Sequence, residues 1–156
     1  MSLAARATAT ALALAAASAC GGGDAVPDID AAETGLSIHH AIAVEPVLDD
    51  VAALYLTIRN GGAEEDTLLV VQTGSAGRAE IHDQVRDGEM VHMRSREYVV
   101  VPANGAVVFA PGGLHVMLME LVQPFAAGDT LVVDFHFASG DTRTARVPVV
   151  TYGDLP

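Results

Sequence analysis

Residues 130–138 read Thr-Leu-Val-Val-Asp-Phe-His-Phe-Ala. Leu131, Val133, Phe135 and Phe137 alternate with Val132, Asp134, His136 and Ala138. A two-residue period sends successive side chains to opposite faces of a strand, so the first set is a core face and the second points outward. The run stops at Ser139-Gly140-Asp141, residues suited to a tight turn, and a second run follows over 142–150.

The same texture extends back to Leu36. Short β-rich runs are predicted at 36–42, 51–59, 67–72, 78–85, 90–94, 97–101, 105–110 and 115–122, besides 130–138 and 142–150. Between them stand Asn60-Gly61-Gly62, Gly74-Ser75-Ala76-Gly77, Asp87-Gly88, Asn104-Gly105, Pro111-Gly112-Gly113 and Gly128-Asp129. In the second run, Leu54, Leu56 and Ile58 oppose Tyr55, Thr57 and Arg59. Nothing between 36 and 150 reads as a helix longer than a turn or two. Regularly spaced short strands predict an all-β fold, a sandwich or Greek-key barrel. The 156 residues suit a single domain, with no internal repeat.

The N-terminal end has a different character. Residues 1–19 carry one cation, Arg6, then an apolar run from Ala9 to Ala17 and the small residues Ser18 and Ala19. This is the pattern of a secretory signal, too short for a membrane span. Ala17-x-Ala19 suits ordinary signal peptidase. The small residues ahead of Cys20, the single cysteine of the chain, also suit lipoprotein processing, although Ala17 stands where a lipobox usually has Leu. The lipoprotein reading is preferred: Cys20 is the expected lipidation site, anchoring an exported protein at a membrane in the periplasm or at the cell-envelope surface. Residues 20–34, small and acidic with Pro27, form a flexible linker, and 35–156 form the folded domain. The formal net charge of −12 argues against nucleic acid as a partner, since phosphate recognition needs basic patches.

Residues 82–119 carry the chemistry. Apart from Met1, every methionine of the chain (Met90, Met93, Met117, Met119) falls in this window, with His82, His92 and His115. His82 alternates with Ile81 on the outward face of its run, beside Glu80 and Gln84. His115 and Met117, two apart in an extended segment, share a face. Thioether sulfur is soft and neutral and selects Cu(I) over zinc or hard cations, and imidazole accepts copper in either oxidation state. With no cysteine beyond position 20, a thiolate zinc site and a blue-copper centre are both disfavoured. No Gly-x-Ser-x-Gly or His-Glu-x-x-His motif is present, and the chain is not expected to be an enzyme.

The spacing His82-x10-Met93-x21-His115-x-Met117 resembles the signature of the periplasmic copper chaperones called PCu(A)C. Its context is similar too: Glu80-Ile81-His82, Asp87-Gly88, Met93-Arg94, Val101-Pro102-Ala103, Pro111-Gly112-Gly113-Leu114 and Gln123-Pro124-Phe125. The resemblance covers about 36–150. It implies a cupredoxin-like β-sandwich and one Cu(I) per chain held by His82, Met93, His115 and Met117. It also implies delivery of copper to a copper-accepting protein, such as the copper subunit of cytochrome c oxidase with its dinuclear site, or a Sco-type thiol protein. Where many members carry Met two after the first His, this chain has Gln84; the Met-x-Met pair before Arg is spread to Met90-Val91-His92-Met93; and no His/Met-rich tail follows.

The remaining candidates read as structural. Met119 is expected in the core, Met90 and His92 at the rim, and the adjacent His39 and His40 on opposite faces of a strand. His136 is expected on the surface, paired with Asp134. Two further functions stay open: a buffering or resistance protein for periplasmic copper, and a structural β-sandwich that uses no metal.

Overall fold

The computed structural model describes residues 34–46, 50–88 and 90–155. The expected signal peptide, Cys20 and all but the last residue of the expected linker 20–34 lie outside the described residues.

Ten strands follow one another: β1 (Leu36–Val44), β2 (Val51–Asn60), β3 (Asp66–Thr73), β4 (Ala76–Asp87), β5 (Met90–Arg96), β6 (Val99–Val101), β7 (Gly105–Phe109), β8 (Leu114–Leu121), β9 (Thr130–Phe137) and β10 (Thr142–Val150). A 3-10 turn, Tyr152–Asp154, closes the described chain. Each predicted run is a strand, the largest change being an extension of 78–85 to both sides.

One sheet is ordered β5-β4-β8-β2-β1 and the other β10-β9-β3-β6, with a short parallel pairing of β1 to β10 joining them at Ala43–Val149. The chain changes sheet repeatedly, from β2 to β3, back to β4, out to β6 and back again. Alternation explains the core. Leu131, Val133, Phe135 and Phe137 of β9 are all buried, as are Leu54, Leu56 and Ile58 of β2, and they pack with Leu68, Val101, Val116 and Leu118 in one apolar cluster between the sheets. Asn60 is buried at the end of β2. Its Nδ2 donates to the carbonyls of Glu64 and Val101, and its Oδ1 accepts from Gly62 N–H, so the turn after β2 is tied to β6 with its polar atoms satisfied.

β7 and β8 lie end to end along the same edge of β2. β7 pairs with Leu56–Asn60 and β8 with Val51–Leu54, while residues 110–113 loop out between them. The loop is closed by Ala110 N–H to Leu114 O and Gly113 N–H to Ala110 O, and Gly112 adopts φ +81°, which a residue without Cβ takes freely. Pro111-Gly112-Gly113 therefore delivers His115 into an interior strand between β4 and β2.

A β-bulge in β1 changes the expectation for His39 and His40. The pairing with β2 slips between His39 and Ile42, and His40 takes φ +51°. Alternation fails at a bulge. The two rings stand 6.4 Å apart, and His39 Nε2 bonds Ser37 Oγ. His136 is not paired with Asp134: its ring nitrogens meet Thr142 and Gln72 on the neighbouring strands, while Asp134 accepts from Thr144.

Candidate metal centre

The register of the first sheet brings the predicted ligands together. His82 of β4 stands directly opposite His115 of β8, and Glu80 directly opposite Met117. Gln84 of β4 faces Met93 of β5. Directly paired residues share a face, as do residues two apart in a strand. His82, Met93, His115 and Met117 therefore all rise from one face of the sheet. Their neighbours in the strands, Ile81, Val116 and Leu118, point the other way into the core. The fold presents two imidazoles and two thioethers on its outer face and keeps them out of the apolar interior.

The two rings are 6.0 Å apart between centroids. His115 is only 6% exposed, and the ring of Tyr55 lies 6.4 Å away. His115 Nδ1–H donates to the Gly113 carbonyl at 3.0 Å. The same carbonyl accepts from Gln84 N–H, so the looped segment is pinned to β4 and sets the ring beside it. His82 Nε2–H donates to Glu80 Oε2 at 2.9 Å, and His82 Nδ1 is buried without a hydrogen-bond partner. A buried, unpartnered ring nitrogen is costly unless something ligates it. Histidines that hold metals commonly donate their other N–H to a carboxylate or a backbone carbonyl, and these two rings do one of each.

Met93, His115 and Met117 line one cavity of ≈ 270 Å³, together with Val51, Tyr55 and Tyr152. Burial pushes the Tyr55 phenol above its ordinary pKa, and the neighbouring Tyr152 adds to the effect, so this wall stays uncharged. Met93 is 57% exposed and sits on β5, an edge strand whose described side chains all face solvent. The hydrogen bond from His82 holds the Glu80 carboxyl below its ordinary range, and Arg78 adds to this. Among the described residues no group of three or more His, Cys, Asp and Glu side chains is arranged to hold a metal ion. The donor set that shares this face is imidazole with thioether, which suits a soft monovalent ion, although His82 is not among the residues that line the cavity.

One expectation changes, and one lining residue had no signal in the sequence. Met119 is half-buried on the outer face, where its sulfur accepts from Arg78 Nη2 at 3.6 Å, so it is not part of the core. Tyr152 reaches the cavity wall from beyond the last strand, although the tail carries no donor that would have pointed to it. Met90, 63% exposed, and His92 are at the surface as expected.

A family profile described as "Putative lipoprotein LpqE-like" matches residues 36–149. A "Putative lipoprotein" of Leifsonia xyli subsp. xyli is 28% identical over 100 residues, covering 64% of this chain and 60% of that relative, so the chain spans less than two thirds of its length. Among solved structures, the copper-bound PCuAC domain from PmoF2 superposes with a TM-score of 0.63 at 20% identity, covering 74% of this chain and 92% of that one. The Cu(I) form of DR1885 from Deinococcus radiodurans superposes with a TM-score of 0.59 at 25% identity, covering 76% and 78%. The resemblance drawn from the spacing of His and Met is borne out: the chain belongs to the LpqE-like family and has the cupredoxin-like β-fold of PCuAC domains.

Proposed function

We propose that this chain is an extracytoplasmic Cu(I) chaperone that holds one ion between His82, Met93, His115 and Met117. The observation that carries the reading is the opposed pair His82 and His115, their rings 6.0 Å apart with His82 Nδ1 orphaned, on the face that also bears Met93 and Met117. Two neutral imidazoles and two neutral thioethers leave the complex with the single charge of Cu(I), and soft sulfur disfavours Cu(II) and zinc. The copper-bound and Cu(I) states of the two neighbouring structures support the same cargo.

The exposure of Met93 suits transfer. An incoming thiolate or imidazole replaces the exposed thioether first, and the ion passes through a shared intermediate while His115 still holds it. On the PCu(A)C resemblance, the recipient is the dinuclear copper centre of cytochrome c oxidase, with a Sco-type thiol protein as an alternative acceptor. The signal sequence and the description of the family support export and a lipid anchor at Cys20. No described helix is long and apolar enough to cross a membrane.

The test is anaerobic Cu(I) titration under reducing conditions, with Cys20→Ser to remove the competing thiol, followed by X-ray absorption at the copper edge. One Cu(I) per chain with mixed nitrogen and sulfur scattering is expected. His115→Ala is expected to weaken binding by about a hundredfold or more, since loss of a ligand exceeds the ~10–100-fold cost of losing an outer partner. A shell of nitrogen and oxygen alone would sink the assignment. A deletion strain that keeps normal oxidase activity but becomes copper-sensitive would instead mark the protein as a copper buffer.

A further inference from the structure

Glu80 and Arg78 belong to none of the ligand positions, yet they form a row with His82. The three residues lie at alternate positions of β4 and therefore on one face. Arg78 Nη1 meets Glu80 Oε1 at 3.2 Å, and Glu80 Oε2 accepts from His82 Nε2–H at 2.9 Å. Arg78 Nη2 is also directed to Met119 Sδ at 3.6 Å, across the sheet on β8. Each oxygen of the carboxylate thus has its own partner. The guanidinium takes one and the imidazole takes the other.

A carboxylate can only accept, so the hydrogen of the His82 ring sits on Nε2 and the lone pair on Nδ1. That is the nitrogen buried without a partner. His115 is held in the opposite sense. Its Nδ1–H is committed to the Gly113 carbonyl, which leaves Nε2 as the lone-pair nitrogen. The rings face each other across directly paired positions of β4 and β8, so opposite tautomers turn unlike nitrogens toward the ion.

We infer that Glu80, braced by Arg78, is a positioning residue that dedicates His82 Nδ1 to the metal while His115 ligates through Nε2. The inference rests on the copper reading above and refines it. Two consequences follow from the charges. The anion raises the basicity of the ring it orients and strengthens the bond to the ion. It also places a negative charge one ring away from a bound cation, in a site whose four ligands are neutral. Arg78 limits that effect and prevents the carboxylate from turning inward to ligate the ion itself, which would favour a harder metal.

The test uses the full chain labelled with ¹⁵N, carrying Cys20→Ser, and follows the ring nitrogens by long-range ¹H–¹⁵N correlation before and after addition of Cu(I) alone. In the metal-free protein, the His82 Nε2–H proton is expected downfield and slow to exchange. Copper is expected to shift Nδ1 of His82 and Nε2 of His115. Glu80→Ala is expected to abolish the downfield proton and weaken Cu(I) binding by about 10–100-fold. Glu80→Gln keeps an acceptor oxygen, so it should restore the proton signal and part of the affinity. A Glu80→Ala protein with unchanged affinity, or a copper shift at His82 Nε2, overturns the inference and leaves the copper site standing. Absence of any copper-induced shift at either ring overturns the copper reading itself.

Discussion

Gln84 stands directly opposite Met93, on the face of β4 that carries His82, and it lines the same cavity as Met93, His115 and Met117. Many chains with this spacing have a methionine there. Opposite residues in an antiparallel pair bring their Cβ atoms to within about 5 Å, close enough for long side chains to share a partner. Gln84→Met is therefore expected to add a third thioether to the site and tighten Cu(I) by about tenfold, or ~1.4 kcal/mol. Competition against a Cu(I) chelator measures it, and zinc affinity should not rise with it. Unchanged Cu(I) affinity would mean that the side chain at 84 does not reach the ion. Residue types and spacing marked His82, Met93, His115 and Met117 as candidate ligands from the chain alone, and the register places all four on one face. The contacts of Glu80 with His82 and Arg78 were not legible there, although Glu80 stood in the matching context, because a charged pair on an outward strand face reads as ordinary solvated surface.

The looped segment 110–113 is the element on which the site turns. It interrupts what would otherwise be one long strand along β2, and it places the Gly113 carbonyl where His115 and Gln84 can both donate to it. Gly112 and Gly113 contribute unequally. A Cβ at Gly112 would meet nothing closer than Gln84 Oε1 at 3.9 Å, so the cost of a substitution there is backbone strain at φ +81° rather than a clash. Gly112→Ala is expected to destabilise the fold by roughly 1–2 kcal/mol, the penalty of a left-handed conformation for an L-residue. Gly113→Ala is expected to be nearly neutral, because its φ is not positive and its nearest contact is the Ala110 carbonyl at 3.8 Å. Urea denaturation of the two variants distinguishes them, and equal losses would refute the account of the loop. The bulge at His39–His40 belongs to this scale as well. A strand pattern in sequence assumes regular pairing, and nothing in Ser37-Ile38-His39-His40 announces that the register with β2 will slip.

At the scale of the whole molecule, the core and the site occupy opposite faces of one sheet. Phe135 is fully buried on β9, in the other sheet, which carries none of the proposed ligands. Phe135→Ala is expected to cost about 3–5 kcal/mol in folding free energy. The urea midpoint should fall at unchanged slope, while the folded fraction still takes up one Cu(I) with the same affinity, since the ligands point away from the core that Phe135 fills. A variant that loses copper binding while still folded would show that the two faces are coupled. Period-two alternation and the Gly, Asn and Pro breaks determined the strands, their inward faces and the all-β class, because these depend on local chemistry that each segment carries by itself. The His and Met spacing likewise singled out the four side chains proposed to hold copper. Only the tertiary structure decided that His82 meets His115 across β4 and β8, that Met119 stays out of the core, and that Tyr152 lines the cavity. Alternation says which way a side chain points but not what it will face. Register between strands far apart in the chain is settled by the packing of the whole sheet.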